Sequence, residues 1–289
     1  MNAVVDVKPP LGLIHGLSNE AYHASLGISN SGLVLIGKSP RHYFGRYLDP
    51  LRPPPEPKPG QLEGTMFHAA LFEPAEYPLR YVAGPNVRRG TKVWDAFEAG
   101  LKPGQTAVKP DEFEQARAMA RSMRSLQDVR EILSKGHPEV SAYAEFEITD
   151  DDGEITKVLV RVRPDWVFPV DDDSVILFDG KSCGDASNTE FARQIARKWY
   201  HHQAAFYIDV YQKASGKTVR EFVFGQCETE WPYVGNTCAL YPEDIEKGRE
   251  LYRRNLQTYV RCLKSGEWPG YGETVQLISL PSWTKGGKS

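Results

Sequence analysis

Residues 163–181 read RPDWVFPVDDDSVILFDGK, and this stretch decides the fold. Asp171, Asp172 and Asp173 form an acidic turn, and the apolar run 174–178 after it has the composition of a buried strand. Before it, Val158, Val160 and Val162 alternate with Leu159, Arg161 and Arg163, which predicts a second strand over 154–163. Each strand runs into an aspartate: Asp165 in Arg163-Pro164-Asp165, and Asp179 in Phe178-Asp179-Gly180-Lys181. If the two strands form a hairpin centred on Asp172, positions 165 and 179 face each other, with Cβ atoms roughly 4.5–5.5 Å apart. Carboxylates that close repel, so one takes a proton unless a cation lies between them. An oxygen-preferring dication such as Mg²⁺ resolves the conflict. Lys181, two residues beyond Asp179, shares its face of the strand. A lysine there can orient or deprotonate a metal-bound water, or stabilise transition-state charge. Such a set suits metal-assisted phosphodiester hydrolysis. The plainer alternative, in a chain with 38 acidic residues, is a solvated charge pair at a strand end.

Working outward, residues 140–149 predict a further strand, joined to 154–163 through Asp150-Asp151-Asp152-Gly153, so the three strands read as a meander. A long helix over 189–213, capped by Asn188 or Ser187, follows the third strand. Strands over 220–227 and 236–241 and a helix over 243–264 complete the C-terminal part. Upstream, helices are expected at 29–37, stopped near Ser39-Pro40, and at 60–72, 92–98 and 111–135. The last carries Phe113, Ala116, Ala120, Met123 and Leu126 at helical spacing and ends at Gly136-His137-Pro138. Six prolines between 50 and 59 exclude a helix or a central strand there. The expectation is an α+β chain forming one domain over 1–289: a helical N-terminal part over about 14–135, and a core of mixed sheet flanked by helices over about 137–283.

Two further features bear on chemistry. His68 lies in Gly64-Thr65-Met66-Phe67-His68, on a helix apolar on nearly every side, where a histidine is either a hydrogen-bonded core residue or a metal ligand. In the helix after Lys181, Arg193, Ala196, Tyr200, Gln203 and Tyr207 recur at three- and four-residue steps. No acidic residue occurs between Phe191 and Ile208, but Arg193, Arg197, Lys198, His201 and His202 do. A basic, aromatic helix beside the carboxylates suits a phosphate backbone, or is a solvated amphipathic face. The adjacent His201-His202 pair points in two directions and makes no joint metal site. The basic stretches 38–46 and 88–92 read as a DNA channel or as solvated surface.

The net charge of −3 excludes a globally basic nucleic-acid coat. No apolar run approaches the roughly 18 residues that span a bilayer, and residues 1–6 lack the pattern of a signal peptide, so the expected location is the cytoplasm. The four cysteines, at 183, 227, 238 and 262, form no Cys-x-x-Cys pair and are expected as free thiols rather than ligands of zinc or an iron–sulfur cluster.

These residues together resemble the PD-(D/E)XK nuclease superfamily, and within it the RecE-like, exodeoxyribonuclease VIII-like branch of phages and prophages. The resemblance spans about 14–283. It is carried by Ile28-Ser29-Asn30-Ser31 with Ser39-Pro40, by Gly64-Thr65-Met66-Phe67-His68, by Arg163-Pro164-Asp165, by Asp179-Gly180-Lys181, by the run 200–207 (YHHQAAFY), and by Trp268-Pro269-Gly270-Tyr271 with Leu280-Pro281-Ser282-Trp283. It implies a restriction-endonuclease-like core with helical N-terminal additions. It implies that His68, Asp165, Asp179 and the carbonyl of Gly180 bind Mg²⁺ or Mn²⁺, with Lys181 the catalytic lysine beside Asp165 and Asp179. Gln203 and Tyr207 match the Gln-x-x-x-Tyr element of RecB-like nucleases, which shapes the site or holds DNA. Tyr200, Arg193, Arg163 and Arg161 are further candidates for that role, and Glu139 sits where the branch often carries a glutamate. Two departures stand out: Gly180 replaces a bulky apolar residue, and Ser182-Cys183 replaces a pair of threonines.

The function so implied is a metal-dependent DNA exonuclease acting on duplex ends in the 5′→3′ direction, in phage-type recombination within a bacterial host. Its partners would be duplex DNA ends, a single-strand annealing protein and further copies of the chain, with no membrane. The alternatives are a non-catalytic DNA-end-binding scaffold on the same fold and a structure-specific endonuclease.

Overall fold

Helical periodicity gives way to two-residue alternation after Gly136, and the chain changes architecture there. The computed structural model describes residues 9–280 apart from 55, 57–59 and 151; those four positions of the proline run, Asp151 of the acidic hairpin and Pro281-Ser282-Trp283 of the tail lie outside the described residues. The first part holds β1 (Gly12–Ile14), α1 (Asn19–Ala24), β2 (Ile28–Ser29), α2 (Asn30–Lys38), α3 (Pro40–Tyr47), α4 (Gln61–Phe72), α5 (Tyr77–Arg80), β3 (Tyr81–Ala83), α6 (Lys92–Ala99), β4 (Thr106–Val108), α7 (Pro110–Ser125) and α8 (Gln127–Ile132). The second holds β5 (His137–Pro138), β6 (Ser141–Thr149), β7 (Ile155–Val162), β8 (Trp166–Pro169), β9 (Ser174–Cys183), α9 (Asn188–Lys198), α10 (Tyr200–Ser215), β10 (Thr218–Glu228), β11 (Gly235–Ala239) and α11 (Pro242–Ser265). This is a mixed α+β architecture, as expected.

The strands make a sheet in the order β1-β6-β7-β2, a second in the order β11-β10-β9-β8-β5, and a β3-β4 pair. The expected meander is therefore corrected. The chain leaves the first sheet after Val162 and enters the second at Trp166 as a separate four-residue strand. Pro164 stands in the gap, and having no N–H it cannot continue a ladder. The hairpin register itself holds: Trp166 faces Phe178 and Pro169 faces Val175. One further step brings 165 opposite 179. β9 and β10 are parallel and joined by the crossover of α9 and α10.

Helix ends follow local chemistry. The Ser29 hydroxyl accepts from Gly32 N–H at 3.4 Å and caps α2. Pro110 at the first turn of α7 and Glu112, accepting from Lys109 N–H at 2.9 Å, start that helix. Three expectations need correction. Ser39-Pro40 stops α2 but also starts α3, because proline fits a first helical turn. The helix expected over 111–135 breaks at Leu126, which is extended. The helix expected over 189–213 breaks at Trp199, which takes φ 58°, ψ 39°. The Trp199 ring packs on α2 where Gly37 leaves room; a Cβ there would come within 2.6 Å of it.

β9 is covered on both faces. Val175 and Leu177 join one core with Phe222 and Phe224 of β10, Ala204 and Phe206 of α10 and Leu256 of α11. Phe178 joins the other with Val223, Phe67 and Leu71 of α4 and Met119 and Met123 of α7. Burying each of these larger apolar side chains stabilises by about 1.5–3 kcal/mol. The alternation continues past Phe178. It places Asp179 and Lys181 on the α10 side and Gly180 on the α4 side.

Candidate active site

Asp165, Asp179 and Lys181 meet where β9 emerges between the two cores. The Gly180 N–H donates to Asp165 Oδ2 at 2.8 Å, which ties the 165 carboxylate to the strand opposite. α4 brings His68 in from the other face. Its Nε2 lies 2.8 Å from the Gly180 carbonyl oxygen, and its Nδ1 lies 3.5 Å from Asp165 Oδ2. This approach depends on glycine. A Cβ at 180 would stand 3.1 Å from Phe72 and 3.6 Å from His68 Nε2. The small residue that departs from the nuclease pattern is thus matched by an aromatic ring and an imidazole filling its place.

On the other face, Asp179 is buried to 2% exposure. Gln203 Nε2 donates to its Oδ1 at 2.7 Å, and the Lys181 ammonium contacts its Oδ2. Lys181 Nζ also sits 4.8 Å from the centre of the Tyr200 ring, which stacks on Phe224. Burial pulls the Lys181 ammonium down, but Asp179 and Asp165 outweigh it and hold the group above its ordinary value. Burial pushes Asp165 up to about 6, the Asp179 charge adding to the shift while His68 and Lys181 oppose it. Tyr207 lies one helical turn beyond Gln203; burial raises its phenol well above the usual range, with Tyr22, Asp179 and Asp165 adding to the effect, so it stays protonated.

The other candidates are placed differently. Glu139 adopts φ 47°, donates its N–H to the Asp165 carbonyl at 3.1 Å and pairs with Arg163 at 2.6 Å. Arg163 is held further by the carbonyls of Glu139 and Leu17 at 3.1 and 2.7 Å. It braces the loop before Asp165 rather than facing solvent. Arg161 is buried at 6% exposure, bonded to the carbonyl and hydroxyl of Ser25 at 2.5 and 2.6 Å and to the Tyr22 carbonyl. It anchors α1 from inside the protein, so of the two roles expected for it, shaping the site or holding DNA, its burial fits only the first. Arg193 is exposed on α9 and paired with Glu190. The bend at Trp199 separates it from Tyr200, Gln203 and Tyr207, so the continuous stripe is corrected as well.

Sequence reasoning missed the partners of His202. This side chain is fully buried. Its Nδ1 lies 2.8 Å from Asn30 Oδ1 and its Nε2 3.3 Å from Asn255 Nδ2, while Asn255 also donates to the Leu33 carbonyl at 3.1 Å. Burial, with the neighbouring His201, lowers its pKa to about 4. The imidazole is therefore neutral, donating from Nδ1 and accepting at Nε2, and it locks the start of α10 to α2 and α11. The only sequence signal was a histidine on the apolar side of a helix, with no hint of its partners.

The donor chemistry fits a divalent ion. Two carboxylates, one carbonyl and one imidazole make an oxygen-rich set suited to Mg²⁺ or Mn²⁺. Apart from the Lys181 ammonium, the buried Asp179 Oδ2 has no hydrogen-bond partner. As placed, however, the donors largely satisfy one another, and among the described residues no three His, Cys, Asp or Glu side chains form a ready ligand cluster. No helix among the described residues is long and apolar enough to cross a membrane.

The model of a family described as a PDDEXK-like domain of unknown function (DUF3799) matches residues 29–281. No curated protein matches the chain. Among solved structures, a crystal structure from Eubacterium rectale described as a "putative exonuclease" aligns with a TM-score of 0.61 at 14% identity, covering 94% of this chain and 100% of that one. At that identity the likeness speaks for the fold alone. The crystal structure of SSO0001 aligns with a TM-score of 0.35 at 10% identity over 84% of this chain and 81% of that one, and carries no argument.

Proposed function

The chain belongs to the PDDEXK-like family whose model covers residues 29–281, and from that membership we propose that it is a Mg²⁺- or Mn²⁺-dependent DNA nuclease, acting as an exonuclease on duplex ends. The observation that carries this reading is the meeting of Asp165 and Asp179 beside the Lys181 ammonium at the second half of β9. Asp165, Asp179, His68 and the Gly180 carbonyl would hold the ion. When bound, it would polarise the scissile phosphate and supply hydroxide at neutral pH. Lys181, kept protonated by the carboxylates, offers positive charge to phosphoryl oxygens as negative charge develops on them. Gln203 fixes the rotamer of Asp179. The Tyr200 ring lies against the Lys181 ammonium and limits where it can go. The Arg163–Glu139 pair holds the loop that delivers Asp165.

The finer reading follows the RecE-like resemblance: 5′→3′ resection that leaves a single strand for an annealing protein in phage-type recombination. Purified protein should degrade linear duplex DNA with Mg²⁺ and not with EDTA. Asp179→Ala and Lys181→Ala should each abolish cleavage while leaving the circular dichroism spectrum unchanged. Wild-type rates in both variants would sink the assignment. A covalently closed circle should survive, since an exonuclease needs an end; its cleavage would point to an endonuclease.

One observation favours a second reading, a non-catalytic DNA-end-binding scaffold: His68 and the Gly180 carbonyl, like Lys181 and Asp179, are bonded to each other. Calorimetry with Mn²⁺ separates the two. Binding at millimolar metal or below supports the nuclease, and no heat of binding supports the scaffold.

A further inference from the structure

The face of α4 turned away from His68 borders a cleft that the proposed chemistry does not use. Residues 68 and 70 differ by about 200° around a helix, so they lie on opposite sides. Ala70 lines a cleft of about 410 Å³ between α4, the α4–α5 turn and α7. Three arginines of α7 stand along it, Arg117, Arg121 and Arg124, with Phe113, Pro74 and Pro78 forming apolar walls. No aspartate or glutamate lines it among the described residues.

The positive charge is poorly compensated. Arg121 is exposed and has no ion pair among the described residues. Arg117 has only a solvated pair with Glu114 at 2.9 Å, and its guanidinium lies 5.8 Å from the Phe113 ring centre. Arg124 is half-buried beside the Leu71 carbonyl, its Nε buried without a partner and its pKa lowered by burial with no carboxylate to offset it. Along a helix, positions 117, 121 and 124 rise by about 6 and then 4.5 Å. A row of cations at that pitch, beside a ring and two prolines, suits a backbone carrying one anion per unit and flat apolar groups between them. An acidic peptide has side-chain charges but no obligatory planar rings.

We propose that this cleft is a binding track for single-stranded DNA on the side of α4 away from the candidate active site: Arg117 and Arg121 contact successive phosphates, and a base packs on Pro74 and Pro78 beside the edge of the Phe113 ring, whose faces are taken by Tyr77 and Arg117. This rests on the nuclease reading, in which one strand of a resected end must be held clear of the site. Arg124, bonded to the last turn of α4, orients that helix against the bound strand.

The test is fluorescence anisotropy of the full chain with fluorescein-labelled dT20 in EDTA, so that nothing is cleaved. The double variant Arg117→Glu/Arg121→Glu should bind at least about tenfold more weakly, and its slope of log affinity against log salt should be shallower by about 1.4, for two lost phosphate contacts. Lys157→Glu, at an exposed lysine of β7, serves as the control for a charge reversal away from the cleft and should change affinity less than twofold. Should the glutamate pair disturb the fold by circular dichroism, Arg117→Gln/Arg121→Gln should show the same loss of slope. The proposal is overturned if wild-type protein does not bind dT20, if the double variants bind within twofold of it, or if Lys157→Glu loses as much. It is overturned equally if a labelled glutamate decapeptide depends on the two arginines while dT20 does not, which would make the cleft a protein-docking site. Duplex cleavage by wild-type protein with Mg²⁺ is scored separately and tests the nuclease reading alone.

Discussion

Gln203 Nε2 donates to Asp179 Oδ1 at 2.7 Å, inside the core and across 24 residues of chain. The bond links the first turns of α10 to the second half of β9, and together with the Lys181 ammonium on Oδ2 it fixes which way the carboxylate faces. Removing the amide leaves a buried acceptor unpaired, which costs about 1–3 kcal/mol. Gln203→Ala should therefore lower the urea midpoint. It should also slow cleavage by about a hundredfold if Asp179 shifts by an ångström. Equilibrium unfolding and single-turnover cleavage measure the two effects separately, and a stability loss with an unaltered rate would show that Gln203 only supports the fold.

Gly180 is expected to be intolerant for a reason outside itself. A Cβ at 180 meets Phe72 at 3.1 Å. Gly180→Ala should destabilise by about 1–3 kcal/mol through overpacking. Gly180→Ala combined with Phe72→Leu should recover much of the loss, since leucine lacks the ring atoms that collide. Thermal melts of the single and paired variants check this; no recovery would place the strain elsewhere.

His202 predicts a pH dependence of stability. Its folded pKa of about 4 lies below the ordinary histidine value of about 6.5. The unfolded chain therefore binds the extra proton first as pH falls. The contribution is fully present above about pH 6.5 and drains away between about 6.5 and 4, by about 3 kcal/mol in all. Urea titrations at pH 8, 6, 5 and 4 should show this decline, and His202→Asn should flatten it. An equal slope in the variant would assign the decline to other groups.

A bound dication should stabilise the folded chain even where no DNA is present. At metal concentrations a hundredfold above the dissociation constant the gain is about 2.7 kcal/mol. Mn²⁺ should raise the melting temperature of wild-type protein and EDTA should reverse it. Asp165→Ala and Asp179→Ala should each lose the response, and a response retained in both would put the ion somewhere else.

The hairpin register was legible because it needed only local information: a turn of three aspartates and strands of two-residue period place 165 against 179 wherever the hairpin sits. Lys181 followed from the same period. The face presented by His68 was not legible, because helix α4 is apolar around most of its circumference and only its neighbours decide which side meets β9. The bend at Trp199 left no trace, since neither Gly nor Pro marks it; a glycine more than 160 residues earlier makes the room. The burial of Arg161 was not legible, because the groups that enclose it come from Tyr22 and Ser25 at α1, a helix its own strand says nothing about. The acidic net charge likewise concealed the arginine row of α7, which a whole-chain sum averages away.

Because β9 is the wall common to both cores, the chain offers no minimal fragment. Trimming to residues 137–283 would discard His68 and strip α4 and α7 from Phe178 and Val223, leaving an oily surface where the native protein has an interior. Attempts to make a smaller version should yield aggregates rather than a weaker enzyme, and useful deletions lie at the tips of loops.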